Sequence, residues 1–220
     1  MEDVYTSAYC TLAAISAVNS SSGFLERTIN SEYICVQDDS GRRVYVCTNT
    51  ADFDTDVEGA QRNTRVWVMQ ERFLSCRTIH FGAHQAYWEC GEGVYCEDLT
   101  RLTRRTIISK LDPKFPYHLQ HSGVRSTIHF LQSLLEDYSK RGLSSPTNRA
   151  VALSGLAARI ATALQCKDAY GYSAFGFYLH RSLLWQRTDL QKKRIQYGTG
   201  KEVPSWSWMA YEGGYPVHSI

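Results

Sequence analysis

The run RVWVMQERFLSCRTIHFGAHQAYWEC, residues 65–90, changes its hydrophobic period midway, and this change constrains the fold more than any other feature of the chain. Val66, Met69 and Phe73, with Trp67 beside them, fall on one side of a 3.6-residue period and predict an amphipathic helix. Asn63 or Thr64 stands where such a helix takes a cap, and Glu71 and Arg72 fall on its other faces. From Ile79 the period drops to two. Ile79 and Phe81 alternate with His80, the chain turns through Gly82-Ala83-His84-Gln85, and Ala86-Tyr87-Trp88 runs back. Such alternation predicts a strand pair with one face buried. The expected fold class is therefore α/β, of mixed α+β kind.

The flanking sequence supplies further elements. Residues 4–17 pass from a helix-like stretch into TLAAISA, which periodicity allows as helix or buried strand. In YICVQDDSGRRVYVCT, two β-rich runs flank Asp39-Ser40-Gly41 and predict a hairpin. Residues 51–63 read as a polar, solvated loop. Its Asp52, Asp54 and Asp56 have a calcium-like spacing, but Val57 and Asn63 stand where an EF-hand loop needs Gly and Glu. Beyond Cys96 the period becomes helical. Val124, Ile128, Leu131, Leu135 and Tyr138 form one stripe, stopped at Gly142, and Leu153, Leu156, Ile160 and Leu164 form another behind Ser145-Pro146-Thr147. Two antiparallel amphipathic helices are expected. Pro113 and Pro116 mark residues 100–123 as a subdomain boundary, dividing the chain into 1–96 and a mainly helical 97–220. Residues 175–185 are aromatic-rich and expected to be buried. Pro204-Ser205-Trp206-Ser207-Trp208-Met209 alternates like a closing strand with Trp206 and Trp208 on one face, covering core; a ligand cage there would need a cationic guest.

Charge and composition exclude several functions. With 24 basic and 22 acidic residues the formal charge is +2, which gives no overall field for holding a polyanion, so nucleic acid is not an expected partner. The apolar stretch near the start is too short and too polar to span a membrane, and no secretory leader is legible. Seven cysteines without a C-x-x-C argue against a disulfide framework or zinc ribbon and fit a reduced, cytoplasmic setting.

The chemistry-bearing residues are few. Glu71, between Gln70 and Arg72, is the candidate catalytic acid, although the same residue serves equally in a cap or an ion pair. His80, His84, Glu89 and Cys90 could gather near one hairpin, but two histidines flanking a turn lack a recognised ligand spacing, so no metal is expected. No protease-like Cys/His signature is present, and Gly91-Glu92-Gly93 lacks the strand-to-helix context of a phosphate loop.

With these elements placed, the chain resembles the fungal heterokaryon incompatibility (HET) domain family. The likeness rests on YTSAYCTLAAISA with SSGFLER, on NTRVWVMQERFLSCRTIHFG and on YWEC, while SPTNRAVALSGLAARIA, FYLHRSLLWQR and PSWSWMAYEGG resemble the region that follows that domain. Trp67, Gln70, Glu71, Arg72, Tyr87, Trp88, Glu89, Cys90, Trp206 and Trp208 are the motif residues, read as structural. The family's opening Y-x-x-L-S-Y-x-W-G-like and W-I-D-x-x-C-I-x-Q-like strands are not found. Residues 1–96 are therefore expected to be the C-terminal part of the domain, with an incomplete TIR-like sheet exposing an apolar face and edge. The resemblance implies a role in non-self recognition and cell death, through protein partners or self-association and without a cofactor. It also implies two alternatives. One is part of a TIR-like NAD hydrolase whose glutamate lies in the missing half, so that NAD is a substrate only for a complete protein. The other is an inactive structural remnant.

Overall fold

The computed structural model describes residues 2–26, 33–47, 52–102, 115–116, 118–166, 168–169, 174–175, 183–186, 193–198 and 203–212. It is a mixed α+β arrangement. Helix α1 (Glu2–Ser7) leads into strand β1 (Thr11–Ala13), and β2 (Tyr33–Gln37) with β3 (Arg43–Cys47) forms a separate hairpin. Helix α2 (Val66–Leu74) is followed by β4 (Arg77–Phe81), β5 (Ala86–Cys90), β6 (Gly93–Cys96) and β7 (Arg101–Leu102). These strands make one five-stranded sheet in the order β1-β4-β5-β6-β7, with β1 parallel to β4 and the other pairs antiparallel. Then come α3 (His118–His121), α4 (Val124–Lys140), α5 (Arg149–Ala163) and the short pair β8 (Asp168–Ala169) and β9 (Ala174–Phe175).

Helix α2 joins the sheet to the helices. Its Val66, Met69 and Phe73 enter one apolar cluster with Leu131, Leu135 and Tyr138 of α4 and Leu153, Leu156 and Ile160 of α5. Ala152 and Ala157 are buried on α5, and such small side chains let α2 approach it closely. Each aliphatic side chain sealed here contributes roughly 1.5–3 kcal/mol. The α4–α5 connection is tied to α2 as well: Gly142 N–H donates to the Thr64 carbonyl at 2.7 Å, and Val66 N–H donates to the Gly142 carbonyl at 3.1 Å. Helix α4 ends at Lys140 with Arg141 extended, and Gly142 beyond it anchors the start of α2.

The sheet buries the face its sequence makes polar. Thr78, His80, Tyr87, Glu89, Val94 and Cys96 are buried, whereas Ile79, Phe81, Trp88 and Tyr95 on the other face are only half-buried. By register, Leu12, Ile79, Trp88 and Tyr95 line up across four strands of that second face, with Leu12 at the β1 edge 62% exposed. Phe24 covers part of it, its ring meeting that of Phe81 edge-on at 5.2 Å.

Three expectations are corrected. Residues 52–64 are not simply a solvated loop: Phe53 and Val57 are buried beside Tyr87, Val94 and Cys96, on a single wide turn (Asp54–Glu58) followed by a 3-10 turn (Gln61–Thr64). The aspartate spacing serves that turn, since the Asp52 carboxylate accepts from the N–H groups of Asp54 at 3.1 Å and Thr55 at 3.3 Å. Neither Asn63 nor Thr64 caps α2. Arg65 holds that position, while buried Asn63 donates from Nδ2 to the Val57 carbonyl at 2.6 Å. Finally, the PSWSW segment is no strand. Pro204 opens a turn, Ser207 Oγ accepts from Met209 N–H at 3.3 Å, and Trp208–Ala210 forms a 3-10 turn. Trp206, 37% exposed, and Trp208, 4% exposed, thus part company, because a turn breaks the period-two alternation. Most of residues 100–123 after Leu102 and most of 175–185 lie outside the described residues. Among the described residues, no helix is long and apolar enough to cross a membrane.

Candidate functional site

The buried polar face of the sheet and α2 meet at Arg72. Helix α2 carries Arg72 beside its apolar stripe, and register places Thr78 directly across from Glu89, with His80 on the adjacent diagonal. Arg72 donates from Nε and Nη2 to the two Glu89 carboxylate oxygens, both at 2.7 Å. From Nη1 and Nη2 it also donates to Glu58, at 2.9 and 3.1 Å. His80 Nε2 lies 2.7 Å from Glu89 Oε2, and its Nδ1 finds no partner among the described residues. The Phe53 ring closes the group, 5.5 Å from the Arg72 guanidinium, 5.6 Å from His80 and 5.2 Å from Tyr87. Tyr87 in turn donates to Asp56 at 2.6 Å.

Glu89 is 6% exposed and His80 2% exposed, so the Arg72–Glu89–His80 contacts are largely removed from water. Burial alone would raise the Glu89 carboxyl, but the Arg72 charge and the hydrogen bonds from His80 and Arg72 outweigh it and hold the group well below the ordinary carboxylate range. Burial likewise opposes the charge on Arg72, and the two carboxylates overcome it. Arg72 spends four hydrogen bonds on these carboxylates, out of the five N–H groups a guanidinium offers. The cavity touching it, lined by Met69, Arg72, Phe73 and Arg141, measures about 10 Å³, no more than one water. This arrangement can clamp a helix to a sheet, and among the described residues it leaves no room for a substrate.

Glu71 sits one residue away in another environment. It is half-buried, beside Tyr5 of α1 and the charges of Arg65 and Arg62. Burial raises its carboxyl above the usual range, against the lowering effects of the Tyr5 hydroxyl and the two arginines. Tyr5 is itself pushed up to about 12, by burial first and then by Glu71. Behind them the Ser75 and Thr11 hydroxyls lie 2.7 Å apart, tying the end of α2 to β1.

The remaining motif residues are dispersed. Gln70 is buried, its Oε1 without a partner among the described residues, and Trp67 packs partly buried on the helical core. Trp88 lies half-buried on the second sheet face, and Cys90 is half-buried opposite Arg77. His84 is exposed at its turn, away from the His80–Glu89 contact, and no group of three or more metal-binding side chains occurs among the described residues. Trp208 does meet a cation, but the protein's own: the Arg149 guanidinium stands 4.9 Å over its ring. Arg149 also donates to the backbone carbonyls of Tyr211 and Ser139. A shallow depression of about 430 Å³ lies between Ser122, Thr127 and Leu164, with no motif residue in its lining.

Sequence reasoning missed Glu58, Phe53 and Arg149. Phe53 and Val57, four residues apart in an acidic stretch, were the legible sign of a buried turn there. Arg149 offers no comparable signal, because nothing local marks a guanidinium held by carbonyls distant in sequence.

Residues 1–71 match the family model described as Heterokaryon incompatibility protein (HET), which supports the family resemblance. The matched stretch lies at the N-terminal end of the chain and stops at Glu71, inside α2. This corrects the expected placement in a C-terminal part of the domain. The YWEC hairpin that extended the likeness alternates as any paired strand does. No curated protein and no solved structure matches the chain.

Proposed function

We propose that the chain works as part of a heterokaryon-incompatibility protein, in fungal non-self recognition leading to cell death, and that it serves there as scaffold and contact surface rather than as catalyst. The observation that carries this reading is the internal use of the motif: Arg72 and Glu89 bind each other, with Glu58 and His80, in a space too small for a ligand. The family match over residues 1–71 supplies the biological setting. Cytoplasmic location and protein partners belong to the same proposal. The test is inducible expression of residues 1–220 in hyphae of unlike strains, with a dye that stains dead cells scored after fusion. Death above that of a vector control is expected, and equal viability overturns the reading.

A second reading, a contribution to NAD cleavage in a TIR-like fold, draws on Glu71, whose raised carboxyl between Tyr5, Arg65 and Arg62 is the one motif acid outside the clamp. Nicotinamide release on incubation with NAD, abolished in Glu71→Gln, would replace the scaffold proposal by this one.

A further inference from the structure

We draw no further inference here: the strongest candidate, the exposed apolar surface of the β2–β3 hairpin, carries nothing because nothing in the structure shows what covers it.

Discussion

Replacing Glu89 by Gln keeps the side-chain volume and removes one charge from the centre of the clamp. Glu89 accepts three charge-assisted contacts, all at 2.7 Å, two from Arg72 and one from His80. An amide oxygen can accept from Arg72, but its NH2 group then faces a second donor. Removing one partner of a buried ion pair costs about 3–5 kcal/mol, because the remaining charge stays out of water. Glu58 continues to hold Arg72, so the lower end, about 3 kcal/mol, is expected. For a chain of 220 residues this corresponds to a drop of about 6–12 °C in Tm. Urea unfolding followed by tryptophan fluorescence measures it, with an unchanged m-value showing that compactness is kept. Glu58, more exposed at 22%, should cost only about 1 kcal/mol as Glu58→Gln. The sign with pH is fixed by the direction of the shift. The folded Glu89 pKa lies below the unfolded value of ~4.3, so its stabilisation is complete above that value and is lost as pH falls from ~5 toward its folded pKa; Glu89→Gln removes this part of the acid-side slope. A loss under about 1 kcal/mol, or an unaltered slope, would refute the buried clamp.

The other outcomes follow from the same contacts. Glu71→Gln should be no less stable than the unmodified chain at pH 7, since the raised folded pKa makes the ionised carboxyl a cost; the cost is present above that pKa and fades as pH falls to the unfolded value, so melts of the two proteins should converge below pH ~4. Arg149→Met should lose about 2–3 kcal/mol and alter the near-UV circular dichroism of Trp208, because two backbone carbonyls and the indole face lose their cation. Leu131→Ala, at a fully buried position between helices, should cost about 2–5 kcal/mol in urea unfolding. Asp52→Ala should cost about 1 kcal/mol, through the lost cap over Asp54 and Thr55, read as a lowered Tm.

Much of the element list was legible because it is written in local periodicity. The stripe on α2, the alternation in β4 and β5, the turn at Asp39-Ser40-Gly41 and the two long helices each follow from which residues recur at which spacing. Local order also fails in a systematic way. Trp206 and Trp208 alternate on paper, but the backbone between them turns, and a side-chain cap on Ser207 decides their directions. Asn63 looks like a helix cap and is instead drawn inward to the Val57 carbonyl.

The sequence by itself determined where α2, the strands β4 and β5 and the two long helices would lie; a 3.6- or two-residue period needs only neighbours to be read. Tertiary structure alone decided which face of the sheet is buried. Apolar patterning favours the side of Ile79 and Phe81, yet α2 and the Phe53 turn cover the side of His80 and Glu89, because Arg72 and Glu58 make that polar face self-sufficient. Glu71 and Arg72 are adjacent in sequence, but the helix separates them by about 100° and sends one toward Tyr5 and the other into the clamp. Charges fourteen and seventeen residues apart meet only when the chain has folded around them.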